Sequence, residues 1–104
     1  MHDTTLYKVT VDTHRRLAVP DNVVIQAVGD EMVLLHAGTG AYYGLDAVGA
    51  SIVNVVTATE SVPAACAVLL AQYDAEPDRL RADVDALVEK LTRLGLLEWR
   101  ESAA

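Results

Sequence analysis

Three short apolar runs, the first of them β-branched, occupy the stretch from Val23 to Leu45, and from Asp46 to Leu94 the apolar residues recur at helical spacing. The first run, Val23 to Val28, ends at Gly29-Asp30, a pair with turn chemistry. The second, Glu31 to Ala37, ends at Gly38-Thr39-Gly40, and Ala41 to Leu45 returns as a third. Tight turns between consecutive short strands predict an antiparallel meander. Asp46 is placed to cap a helix over about 47–58, in which Val48, Ile52, Val55 and Val56 keep the helical period. Gly49 inside that helix costs on the order of 1 kcal/mol relative to Ala, which points to close packing there.

Ser61 caps a second helix with Pro63 in its first turn and a stripe of Ala65, Val68, Leu69 and Tyr73. A third begins near Pro77, carries Leu80, Val84, Leu87, Leu91 and Leu94 within one wedge, and stops at Gly95. Leu96 to Trp99 follows as a short extended piece. The expected fold class is therefore α+β: a winged helix-turn-helix-like domain, a three-stranded antiparallel sheet followed by three helices.

At 104 residues the chain has room for one core. The domain is expected over 23–99, with an N-terminal arm or extra edge strand over 1–22 and a tail over 100–104. In the arm, Leu6 to Val11 alternates weakly, with Tyr7, Val9 and Val11 on one side. Met1 to Thr5 lacks the charged start and apolar run of a signal peptide, and no stretch reaches spanning length, so a cytoplasmic address and no membrane partner are expected.

Composition removes several function classes. The net charge is −7, with 8 basic against 15 acidic residues, and the basic ones stand singly apart from Arg15-Arg16. A nucleic-acid binder concentrates cations on one face to displace phosphate counterions, so no nucleic-acid partner is expected. His2, His14 and His36 lie far apart, each without a second ligand at helical or hairpin spacing, so no metal or other cofactor is expected. Cys66 and Ser51 sit in helical segments without a base nearby in sequence, and no catalytic residue can be assigned. Gly38-Thr39-Gly40 lacks the lysine and the following helix of a phosphate loop and reads as a hairpin connection. The lone Cys66 reads as a small buried hydrophobe.

One ordered pattern remains. Val33-Leu34-Leu35 is followed by Gly40-Ala41-Tyr42-Tyr43-Gly44-Leu45-Asp46, then Val48-Gly49 and Ile52, the Ala82-Asp83-Val84 to Leu87 region, and Leu94-Gly95-Leu96-Leu97-Glu98. This resembles the PqqD-like family of recognition domains for ribosomally made, modified peptides, which includes stand-alone lasso-peptide leader-binding proteins. The likeness runs over Val23 to Glu98. Val53 stands where the family often has Trp, Asp46 stands where Asn is common, and Met1 to Asp21 take no part.

The resemblance implies that a leader peptide adds as a strand to the third strand of the meander, in the cleft beside the third helix. Main-chain hydrogen bonds along an open edge would supply affinity, and neighbouring pockets selectivity. Carried onto this chain, the edge is Ala41, Tyr42, Tyr43, Gly44 and Leu45. The helix contributes Asp83 for a basic leader group, Val84 and Leu87 as a pocket floor, and Lys90 and Leu91. Tyr42 and Tyr43 must point to opposite faces of the sheet, one inward and one shaping the groove, in an order the sequence leaves open. The expected function is non-catalytic binding of a precursor's leader and its presentation to a processing enzyme, such as a radical SAM enzyme, a protease or a cyclase. An open edge also permits a homodimer. The alternative is a winged-helix transcriptional regulator, against which the five carboxylates from Glu76 to Glu89 argue electrostatically.

Overall fold

The computed structural model describes residues 15–101. Eight elements follow one another: β1 (Arg15–Ala18), β2 (Val23–Val28), β3 (Glu31–His36), β4 (Tyr42–Leu45), α1 (Ala47–Ala58), α2 (Val62–Gln72), α3 (Pro77–Arg93) and β5 (Glu98–Glu101). The sheet β2-β3-β4 with its three helices is the winged helix-turn-helix-like α+β arrangement expected above.

Local chemistry explains where each element starts and stops. Gly29 takes φ +63 at the first position of the two-residue turn joining Val28 to its partner Glu31. That sign of φ is what a tight hairpin turn matched to the strand twist requires, and only glycine adopts it without cost. The β3–β4 connection is held by His36, whose Nδ1 accepts from the amides of Gly38 and Thr39 at 3.0 and 3.1 Å. Gly40, at φ +79, then makes the bulge that lets Ala41 rejoin the ladder. Asp46 accepts from the Gly49 amide at 2.8 Å and Ser61 from the Ala64 amide at 3.2 Å, so both sequence-read caps form. A Cβ on Gly49 would lie 3.0 Å from Leu45 Cδ2, which is the close approach that position implied.

Helix α3 closes in a Schellman turn. Gly95 takes φ +75, its amide donates to the Thr92 carbonyl at 3.1 Å, and the Leu96 amide donates to the Leu91 carbonyl at 2.8 Å. Leu96 and Leu97 are thereby turned into the core beside Leu34, Val53, Leu69, Val84 and Leu91.

The two ends of the described chain form a ladder of their own. β1 and β5 pair antiparallel with Arg15 opposite Glu101 and Leu17 opposite Trp99. Residues on both sides of the expected boundary at Val23, and Arg100 and Glu101 beyond Trp99, therefore belong to one two-stranded ribbon. Leu17, almost wholly buried, pins the ribbon to the core. The alternating stretch Leu6 to Val11 lies outside the described residues.

Among the described residues no helix is long and apolar enough to cross a membrane, and no three metal-ligating side chains converge.

Cys66 is buried in α2, and burial pushes its thiol above the ordinary range; Arg81 pulls it back and Asp85 adds to the rise. The folded chain therefore keeps a proton that the unfolded chain loses first as pH rises. Stability should fall with pH between the ordinary and the raised thiol value and be untouched by this group below it. A Cys66→Ala variant is expected to lack that part of the alkaline decline in urea midpoint. Native protein at pH 8 should also label slowly with a thiol reagent, and fast labelling would contradict the burial.

Candidate functional site

The sheet β2-β3-β4 has two open edges, β2 and β4. At β4 the edge stands next to α3, where the Lys90 ammonium sits 5.3 Å from the centre of the Tyr43 ring. That contact brings the C-terminal half of the helix beside the strand.

Backbone parity defines what the edge offers. The His36 amide donates to the Ala41 carbonyl at 2.8 Å, so 36 and 41 form a hydrogen-bonded pair. In an antiparallel ladder such pairs recur at every second residue. Leu34 and Tyr43, and Met32 and Leu45, are then the exchanging pairs. The amides and carbonyls of Tyr42 and Gly44 point the other way, to the open edge.

Side chains follow the same alternation. Tyr43 faces inward, half-buried against the core, and Leu45 is buried. Tyr42 is 70% exposed on the outer face of the sheet, in a row with Leu35 and Val24. The order of the two tyrosines is thus settled by the strand's register: Tyr43 points inward and Tyr42 outward. Gly44 also faces outward, and a Cβ there would meet open space, so its value to the edge is absence of bulk rather than a special backbone angle.

On α3, Asp83, Leu87 and Lys90 follow one another along a stripe at helical spacing, with Leu87 half-buried and the two charged residues exposed. Val84 and Leu91 have no exposed surface at all. They support the stripe from beneath, and a bound peptide would reach Leu87 rather than either of them. Asp83 also stands on the rim of a cavity of about 250 Å³ lined by Val48, Ile52, Leu69, Tyr73 and Leu80, which prolongs the apolar character toward the start of α1. Val48 is exposed on that helix, whereas Ile52 one turn on is buried: the helical period they share does not separate a core position from one at the rim.

Charge along α3 is nearly all paired internally. Arg79 meets Asp83 at 3.6 Å, Arg81 meets Asp85 at 3.0 Å and Arg93 meets Glu89 at 2.8 Å, each four residues apart. Such exposed pairs contribute little to stability, about 0.3–0.5 kcal/mol, but they cancel charge. Lys90 is the one α3 cation without an ion pair among the described residues, so the positive charge beside Tyr43 is uncompensated.

Three comparisons bear on this geometry. A family model described as coenzyme PQQ synthesis protein D (PqqD) matches residues 31–97. The solved structure of TbiB1 in complex with the TbiA(beta) leader peptide superposes with a TM-score of 0.71 at 32% identity, covering 78% of this chain and 94% of that one. A lasso peptide synthetase B1 complexed with the leader peptide superposes with a TM-score of 0.71 at 24% identity, covering 80% and 98%, and bears on the fold alone. No curated protein matches the sequence.

Proposed function

The chain belongs to the PqqD family, and on that premise we propose that it binds the leader segment of a ribosomally made precursor and presents it to a processing enzyme, without doing chemistry itself. The observation that carries this reading is the β4 edge. Two outward amides and two outward carbonyls, at Tyr42 and Gly44, lie beside a helix groove in a chain 32% identical to a protein solved with a leader peptide. The leader adds as a fourth strand of the sheet. Its side chains alternate between the outer face and the groove, where they meet Tyr43, Leu87 and Lys90. Ala41 and Leu45 bound the strand; Val84 and Leu91 keep the groove floor in place.

The unpaired Lys90 favours an acidic leader residue at its end, and Asp83 takes a basic one at the other by exchanging its exposed pair with Arg79. The enzyme acting on the presented precursor is a radical SAM enzyme, a protease or a cyclase working in trans, and the cytoplasm is the setting. Without leader, the same edge can pair with a second copy, in which case leader addition would dissociate the dimer.

The test is a titration of this protein into a fluorescently labelled leader from the precursor encoded beside it, followed by anisotropy. Saturable binding is expected, and Lys90→Glu should weaken it about three- to tenfold, the range of one partly solvated charge contact. Absence of saturable binding by the native protein would sink the carrier reading and leave the regulator alternative.

A further inference from the structure

Helix α3 has a second flank, turned away from β4, and it faces the β1–β5 ribbon. Between them lies a cavity of about 390 Å³ lined by Val62, Pro63, Val88 and Trp99, with Arg15, Arg81 and the Asp85 carboxylate around it. Val62 and Val88 are buried and form its floor. Trp99 is the only tryptophan of the chain and is 41% exposed, with the Arg15 guanidinium 4.4 Å from its ring centre.

The distribution of cations here runs against that of the whole chain. The chain carries 8 basic residues and a net charge of −7, yet Arg15, Arg16, Arg81 and Arg100 gather on or against this ribbon, where they outnumber the carboxylates of Asp85, Glu98 and Glu101. Arg81 is held by Asp85 and Arg100 by Glu98 at 2.6 Å, whereas Arg15 and Arg16 have no ion pair among the described residues. Arg16 also stands directly opposite Arg100 in the ladder. Like charges in that position destabilise a strand pair, a cost that the Arg100–Glu98 pair offsets only on the Arg100 side. Strand alternation places Arg15 with Trp99 and Glu101 on the cavity face, and Arg16 with Arg100 and Glu98 on the other, from which the two arginines act through their field. An exposed tryptophan flanked by arginines is the residue combination that anchors protein interfaces.

We propose that this flank is a second docking surface, which takes an acidic segment of the processing enzyme bearing one apolar side chain. The apolar group enters the cavity beside Trp99 and Val88. Carboxylates meet the free edge of the Arg15 guanidinium and share Arg81 with Asp85. The identity of the partner rests on the carrier reading above; the chemistry of the surface does not. Because leader and enzyme would occupy opposite flanks of α3, both can be bound at once, which presentation requires.

The experiment uses the full chain, the labelled precursor and the purified processing enzyme encoded with it. Variants Arg15→Glu and Trp99→Leu are first checked for an unchanged melting transition; the second keeps an apolar filler in the cavity, so at least one should remain folded. Leader affinity by anisotropy is expected to stay within twofold of native. The concentration of this protein giving half-maximal processing should rise at least tenfold for Arg15→Glu. Raising salt from 50 to 500 mM should raise it for the native protein, because local attraction to carboxylates is being screened. An unchanged half-maximal concentration in the folded variants overturns the proposal, as does a loss of processing that merely tracks lost leader affinity. If the native protein fails to bind leader, the carrier reading falls separately. Calorimetry of enzyme into leader-free protein then decides: binding lost in Arg15→Glu supports the surface, and no binding overturns it.

Discussion

In a Tyr42→Pro variant, leader affinity is expected to fall about tenfold or more while the melting transition stays near that of the native protein. The Tyr42 amide points to the open edge, because the bond from the His36 amide to the Ala41 carbonyl places 41, 43 and 45 on the inward phase of the ladder. Proline at 42 removes a donor the fold does not use and sets a ring where the leader backbone must approach. The tyrosine ring lost with it is largely exposed, so little packing goes with it.

Tyr43→Pro should behave in the opposite way. It deletes a ladder bond to Leu34, along with a half-buried ring that packs on the core beneath Lys90. A loss of stability on the order of 1–3 kcal/mol is expected from the unpaired carbonyl alone. Anisotropy against labelled leader and thermal unfolding, run on both variants, separate the two roles. Unchanged affinity in a folded Tyr42→Pro protein would rule out strand addition at this edge, whatever else binds the leader.

The largest effect on stability is expected from Leu91→Ala, at about 2–5 kcal/mol. Its side chain is fully buried, and its carbonyl accepts from both the Leu96 and Leu97 amides, at 2.8 and 3.3 Å. Those two leucines are themselves buried, so a cavity at 91 opens where α3, the Schellman turn and the approach to β5 meet. A domain of this size has only about 5–15 kcal/mol in hand, and urea unfolding should show a clear drop in midpoint. Leu87→Ala supplies the contrast. That side chain is half-buried on the groove, so its truncation should cost less stability and more leader affinity. Equal stability losses at 87 and 91 would mean that both are core positions and that the groove floor has been misassigned.

That contrast also shows where sequence reading reaches its limit. Leu87 and Leu91 are the same residue type on one helix, and periodicity assigns both to the apolar wedge. Whether a position in the wedge meets another element or an open groove depends on what packs opposite. Here Leu91 is wholly buried and Leu87 only half so. Tyr42 and Tyr43 pose the same problem in a strand: alternation says they differ, and only the register with β3 says which is inward. Trp99 and Arg15 are eighty-four positions apart, and nothing local to either announces their stack.

What the chain determines by itself is the set of elements and their ends. The Asp46 and Ser61 caps, the prolines at the starts of α2 and α3, and Gly29, Gly40 and Gly95 at positive φ all act within four or five residues of themselves. Such effects are present in the unfolded chain as well as the folded one, so they can be read without knowing the fold. The β1–β5 ribbon, the inward phase of β4 and the division of the α3 leucines between full and partial burial were decided only by tertiary structure. Each depends on surfaces brought together from distant parts of the chain, and burial is a property of that assembly rather than of any residue within it.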